Sequence, residues 1–415
     1  MFDEREKQLV KETIANGIIA DQKILDSLID DLRRFGIKTG VRKINHYTTT
    51  TLAIVSTDGG NHSFKFNPFH HQLIRVVDSD GQPLAIKALT LSTDLNELFK
   101  EDRGPDPHTG NLNAIGRLIN DLEQATGRKI QKFSDLCGSI TIDSSRPEQT
   151  SGWVVSYRDL WEWAVLYERI MYANFAQSTL IVRDGLLRTK LFQNDYFRVI
   201  GDLLAERIKL LRERDKKEIF FVGLAKHSSV IDLYRLALSM ENIFPTGNPY
   251  WVRIPREIEV RAYKFEEFAR GRERLNRGTD GLCARRNSDN NTLTSLGVRH
   301  EVEDGNEDSK FVFGTMHFVR LAPEHSMPIW VVDIFDDQIS HADRIIGHLY
   351  GDSVDSFPVP SYPMALQRAH EAAKLTDFDS EIINRAIMQS IRSLVGNNNI
   401  VDRLELAGDL AARRY

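Results

Sequence analysis

The period of the apolar positions changes several times along the chain, and each change predicts an element. Between Glu4 and about Phe35, Leu9, Ile14, Ile18, Ile24, Leu25, Leu28, Ile29 and Leu32 recur at helical spacing with charges between them, which predicts one or two amphipathic helices. From Thr51 the pattern is that of strands. Thr51 to Thr57, His62 to Asn67 and Leu73 to Asp78 are followed by the turn residues Asp80-Gly81 and by Leu84-Ala85-Ile86, an antiparallel meander that starts at Asp58. Residues 92–149 mix helical stretches such as Ala114 to Ala125 with the turn-rich Arg103-Gly104-Pro105-Asp106-Pro107 and read as an insertion.

Beyond it the pattern alternates. A helix from Tyr157 to about Phe175 leads to a strand ending at Asp184, a helix from Asp195 to about Arg214 to the apolar strand Glu218 to Ala225, and a helix from about Ser228 to Met240 follows. The segment from Ala269 to Asp308 is rich in Arg, Gly, Asn and Asp without periodicity and reads as a long mobile loop. Strands at Lys310 to Leu321 and Pro328 to Phe335 come next, then helices around Ile339 to His348, Met364 to Ala373 and Asp379 to Leu394, with a last amphipathic stretch at Val401 to Arg414. This order predicts an α/β fold with a mixed sheet, in which ligands bind at strand ends near a topological switch. It divides into an N-terminal helical docking segment (1–45), a core (46–395) and a helical tail (396–415).

Composition narrows the function classes. With 415 residues and 41% hydrophobic content the chain can bury a large core. A formal charge of −5 excludes a uniformly basic nucleic-acid coat, so a polyanion would have to be met by local clusters or by a metal. Cys137 and Cys283 lack the spacing of a zinc site or a disulfide framework, which fits a reducing cytoplasm. The charged start Met1-Phe2-Asp3-Glu4-Arg5-Glu6-Lys7 has no apolar h-region and no run approaches the length of a membrane span, so a soluble, unexported protein is expected. A glycine-rich Walker loop is missing as well, so ATP-driven movement would need a separate subunit.

The candidate chemistry lies at two strand ends. Thr51 to Ser56 runs into Thr57-Asp58-Gly59-Gly60, and Ser178-Thr179-Leu180-Ile181-Val182-Arg183-Asp184-Gly185 repeats the pattern of apolar strand, acid and glycine. A single such pattern is an ordinary hairpin turn; two acids at two strand ends can share a metal. The glycines then read as clearance for a phosphate backbone. A third acid would come from the helix before Asp184, where Asp159, Glu162 and Glu168 are available. At about 100° per residue Glu162 and Glu168 cannot both face the strand ends. Trp161, Trp163, Ala164, Leu166 and Tyr167 make this helix apolar around most of its circumference, and a carboxylate embedded there is costly unless paired or metal-bound, which favours Glu162 as the third acid, the alternative being a solvated first-turn acid stabilised by the helix dipole. Lys226, at the end of a buried strand, would contact phosphate or balance the carboxylates, unless it is simply solvated. Asp333, inside an apolar strand, is either a solvated edge residue or a fourth acid of the site. Two basic groups stand out. Arg207, Lys209, Arg212, Arg214, Lys216 and Lys217 read as a solvated helix end, whereas Arg270, Arg272, Arg274, Arg277, Arg285 and Arg286 in the long loop are DNA-binding candidates.

Asp58-Gly59-Gly60, Arg158-Asp159-Leu160-Trp161-Glu162, Arg183-Asp184-Gly185-Leu186-Leu187, Val222-Gly223-Leu224-Ala225-Lys226 and Tyr362-Pro363-Met364-Ala365-Leu366-Gln367-Arg368-Ala369-His370, in this order from about residue 45 to 395, together resemble the NurA nuclease family. The resemblance implies a ribonuclease H-like mixed sheet flanked by helices, with an inserted segment and helical N- and C-terminal additions. It implies a DNA nuclease dependent on Mn²⁺ or Mg²⁺, a homodimer, and partnership with the hexameric DNA-translocating ATPase HerA in DNA end processing or anti-phage defence. Asp58, Glu162 and Asp184 would hold metal, with Glu168 as the substitute for Glu162 because the interval from Asp58 is long, and His370 would assist near the scissile phosphate. Ser361 stands where the family pattern often has Gly. Readings of other classes are a DNA-guiding adaptor without catalysis and a stand-alone ribonuclease H-like resolvase.

Overall fold

A computed structural model of the chain describes residues 3–47, 52–66, 69–90, 92–105, 110–141, 151–262 and 311–395. The Arg-rich segment 269–308, with all six of its DNA-binding candidates, and the tail 396–415 lie outside the described residues. No helix among the described residues is long and apolar enough to cross a membrane.

The N-terminal pattern forms one helix, α1 (Glu4–Arg34), started by a capping box in which Asp3 accepts from the Glu6 amide and Glu6 accepts from the Asp3 amide. Its last turns bury Leu28, Ile29 and Leu32, in one apolar cluster with Val230, Ile231 and Tyr234 of a later helix, while Leu9, Ile14, Ile18 and Ile19 nearer its start are exposed.

The strands β1 (Arg42–Lys43), β2 (Leu52–Phe66), β3 (Phe69–Asp78), β4 (Pro83–Thr90), β5 (Ser178–Asp184), β6 (Ile219–Ala225), β7 (Tyr250–Arg253), β8 (Gly314–Arg320) and β9 (Trp330–Phe335) form, among the described residues, one mixed sheet in the order β1-β7-β8-β9-β6-β5-β2-β3-β4. β2, β5 and β6 run parallel to one another, and the other neighbouring pairs are antiparallel. β1 and β7, too short to show a period, have no counterpart among the sequence expectations.

One expectation is overturned. The first strand does not end at Asp58-Gly59-Gly60; β2 continues through both glycines to Phe66, because antiparallel pairing with β3 begins at Thr57↔Asp78 and carries the backbone onward to Phe66↔Phe69. What ends at this point is the parallel pairing with β5, whose last pair is Thr57↔Arg183.

The helices α2 (Leu95–Arg103), α3 (Ala114–Thr126), α4 (Phe133–Leu136), α5 (Ser151–Tyr172) and α6 (Tyr196–Arg214) cover one face of the sheet. Phe99, Leu118, Leu122 and Phe133, from the stretch read as an insertion, belong to the same buried cluster as Ile74, Ile181 and Phe221. The remaining helices are α7 (Ser229–Met240), α8 (256–262), α9 (Ala342–Ser353), α10 (Met364–Ala373) and α11 (Asp377–Val395). Leu180, Val182, Phe220 and Val222 pack on the opposite side from Ile181 and Phe221, with Ile345, Ile346 and Leu349 of α9 and Leu366 of α10. With cover on both faces, the central strands read as continuous apolar runs rather than alternating ones.

A candidate metal centre where two parallel strands part

Because β2 and β5 stay in register up to Thr57↔Arg183, the next residue of each, Asp58 and Asp184, leaves the parallel ladder side by side. His370 arrives from α10. One ligand atom from each of Asp58, Asp184 and His370 lies within 4.8 Å of the other two. His370 Nδ1 is 2.8 Å from Asp58 Oδ2, and Asp58 Oδ1 accepts from the Gly59 amide at 2.8 Å.

Asp184 is held from two sides. Lys226 donates to Oδ2 at 3.3 Å and the Tyr362 hydroxyl donates to Oδ1 at 3.5 Å, while the Lys226 ammonium sits 4.8 Å from the centre of the Tyr362 ring. Burial pushes the Asp184 carboxyl above its ordinary range, and the Lys226 charge opposes that shift. Gly185, at φ 117°, turns the chain away behind Asp184 and donates to the Leu224 carbonyl at 2.8 Å.

α10 is pinned along its length, which places His370. Ser56 of β2 donates to the Ala365 carbonyl at 2.6 Å, the Ala365 amide donates to Asp352 at 3.0 Å, and beyond the helix the Leu375 amide donates to His62 of β2 at 3.1 Å.

Glu162 of α5 borders the same cavity of about 510 Å³, together with Arg158, Asp159 and Arg183. It is buried, with Arg158 Nε at 3.2 Å and Arg183 Nη2 at 3.8 Å. Burial pushes its carboxyl up to about 8; the neighbouring charge of Asp159 adds to that, and Arg183 and Arg158 pull against it. Glu168 is elsewhere. It pairs with Arg117 at 3.2 Å and borders a different cavity, with Leu84 and Tyr172, so of the two acids it is Glu162 that borders the cavity of Asp58 and Asp184.

The two glycines after Asp58 are needed by the fold itself. A Cβ on Gly59 would stand 2.3 Å from Glu162 Oε1, and one on Gly60 would stand 2.3 Å from the Ala373 carbonyl oxygen. They make room for Glu162 and for the end of α10. Asp333 is neither a solvated edge nor a fourth acid. It is fully buried and accepts from Arg188 Nε at 2.7 Å, Arg188 Nη2 at 2.6 Å and the Leu187 amide at 3.0 Å. Tyr362, Arg158 and Arg183 went unnoticed as site residues in the sequence, although each lies in a stretch that carries the family resemblance; an adjoining acid or proline was the signal present.

Two carboxylates and an imidazole are a donor set suited to a divalent cation, and the spacing of the three ligand atoms lets them share one ion.

No protein-family model matches the chain, and no curated protein matches it. The chain is similar to solved NurA structures. The NurA nuclease from Sulfolobus solfataricus is 14% identical over 95% of this chain and 98% of that chain, with a TM-score of 0.34. A NurA bound to dAMP and manganese is 10% identical over 88% of this chain and 94% of its own, also at 0.34. A NurA with manganese is 9% identical over 91% and 98%, at 0.33. The chemistry of the site rests on its own geometry.

Proposed function

We propose that this protein is a divalent-metal-dependent nuclease that hydrolyses phosphodiester bonds of DNA. The observation that carries the reading is the meeting of Asp58, Asp184 and His370, from two strands and a helix, within 4.8 Å. The strand order β4-β3-β2-β5-β6, a meander followed by two parallel strands, supports a ribonuclease H-like core.

Asp58 and Asp184 would hold a Mn²⁺ or Mg²⁺ ion, with His370 and Glu162 beside them. Bound there, such an ion supplies Lewis-acid stabilisation of phosphoryl oxygens and a water acidic enough to attack near neutral pH. Lys226 and Tyr362 fix the rotamer of Asp184, and Lys226 offers its remaining donors to a phosphate. His370, its Nδ1 2.8 Å from Asp58 Oδ2, stands where its ring could join the two carboxylates on the ion. Arg158 and Arg183 offset the charge of Glu162, so the acids can crowd together without mutual expulsion. A HerA-like hexameric ATPase and a second copy of the chain are proposed as partners on the sequence resemblance.

Mn²⁺-dependent degradation of linear and supercoiled DNA tests the reading. Losing a metal ligand removes about 4 kcal/mol of transition-state stabilisation, roughly a thousandfold in rate. Asp58→Ala and Asp184→Asn therefore abolish cleavage with the circular dichroism spectrum unchanged, and Glu168→Gln cleaves as the parent does. Parental cleavage by purified Asp58→Ala would show the site to be wrong. Calorimetry with Mn²⁺ separates a nuclease from a DNA-guiding adaptor, which has no need of a metal site that depends on both Asp58 and Asp184.

A further inference from the structure

Lys226 links the candidate metal centre, through its bond to Asp184, with a second cavity. That cavity, of about 360 Å³, lies between α7 and the loop joining β8 to β9, with Lys226, Arg235, Arg320 and His325 on its polar side and Phe244 and Met327 on its apolar side. The two cavities differ in their carboxylates: Asp58, Asp159, Glu162 and Asp184 line the first, beside Arg158, Arg183 and Lys374, whereas no carboxylate lines the second.

The cation at the back of the second cavity is unusual. Arg320 is 1% exposed, and its guanidinium donates to neutral carbonyls throughout: Ala322 at 3.1 Å, Phe244 at 2.7 Å, Asn248 at 3.1 Å, and Pro245. No carboxylate among the described residues stands within ion-pair distance of it. Carbonyl dipoles solvate such a charge without cancelling it, so its field reaches the cavity it lines, and an anion entering there is attracted in a medium where water screens weakly. The salt bridge between Arg235 and Asp232, at 3.0 Å on the surface of α7, holds Arg235 only loosely.

We propose that this cavity binds the nucleotide next to the scissile phosphate, a reading that rests on the nuclease function proposed above. The volume lies within the roughly 300 to 1,000 Å³ range of small-ligand pockets. Lys226 and Arg235 receive the flanking phosphate, drawn in by the field of Arg320, and Phe244 and Met327 offer an apolar surface to sugar and base. Lys226, between the two cavities, sets the direction of the strand from the acids toward Arg320.

Steady-state cleavage with Mn²⁺ tests the proposal on two substrates, a single-stranded oligonucleotide and bis(p-nitrophenyl) phosphate, a diester with no nucleotide. Arg235→Glu/His325→Glu changes two side chains outside the metal centre. It raises KM for the oligonucleotide at least tenfold, leaves kcat within twofold, and leaves the small diester unaffected. Met327→Trp fills the cavity without altering charge and raises the oligonucleotide KM in the same direction. An unchanged oligonucleotide KM in either variant, or an equal shift on both substrates, overturns the cavity's role while the nuclease reading stands. Failure of the unmodified protein to cleave either substrate overturns the nuclease reading, and this one with it.

Discussion

Gly59→Ala probes how the site is assembled, because the three atoms nearest the added methyl all belong to Glu162. The new Cβ would stand 2.3 Å from Glu162 Oε1 and 2.9 Å from its Cγ and Cδ. Glu162 cannot yield freely: it is buried, and its carboxylate is held by Arg158 at 3.2 Å and Arg183 at 3.8 Å. Overpacking of this kind costs about 1 to 3 kcal/mol, and a displaced charge-assisted contact adds about 1.5 to 3 kcal/mol. Against this stands a gain of about 0.4 to 1 kcal/mol, since alanine has fewer unfolded conformations than glycine. The expected net loss is about 1.5 to 5.5 kcal/mol. In a Glu162→Ala background the obstacle is gone, and the same substitution becomes neutral or mildly stabilising. A double-mutant cycle by urea denaturation, followed by tryptophan fluorescence, measures the difference as a coupling energy. If Gly59→Ala costs the same in both backgrounds, the claim that this glycine exists to admit Glu162 is refuted.

Two further outcomes follow from buried polar groups. Asp333→Ala strips Arg188 of two contacts and orphans the Leu187 amide; breaking a buried pair from one side costs about 3 to 5 kcal/mol, so urea denaturation should show a loss of that size, and one under 1 kcal/mol would contradict the pairing. Burial lowers the pKa of His317 to about 4, below its ordinary unfolded value of about 6.5. Its contribution is therefore complete above pH 6.5 and is lost as pH falls from 6.5 toward 4, where only the unfolded chain takes up the proton, by about 1.4 kcal/mol per unit and about 3 kcal/mol in all. Denaturant titrations across that window should show a flatter slope for His317→Gln than for the parent; identical slopes would refute the assignment.

Much of the site was legible in the sequence because the acids follow apolar runs. Leu180 to Val182 and Ile219 to Ala225 have no polar residue with which to face water, so they had to be buried strand, and Asp184 and Lys226 had to emerge where burial ends. The helices from Tyr196 to Arg214 and from Ser229 to Met240 begin one residue after the Asp195 and Ser228 expected to open them. Less was legible where two partners share one residue. Asp58-Gly59-Gly60 looked like a strand end, since an acid and two glycines weaken a strand locally, yet β3 supplies a continuous ladder of bonds across them. The fate of Asp333 was equally hidden: an acid in an apolar strand is compatible with solvent, a metal or an ion pair, and Arg188 lies far off in the chain.

The sequence by itself determined which segments are buried strands, which are amphipathic helices and which side chains at their ends carry charge, because those properties depend on the period of apolar residues over a few turns. Tertiary structure decided the rest. It set β2 against β5 in a register that ends at Thr57↔Arg183, put Glu162 at the cavity of Asp58 and Asp184 and Glu168 beside Arg117, brought His370 to Asp58, and joined Lys226 to Asp184 at the edge of a second cavity. Such choices depend on packing between segments hundreds of residues apart, and no local period encodes which partner a side chain meets.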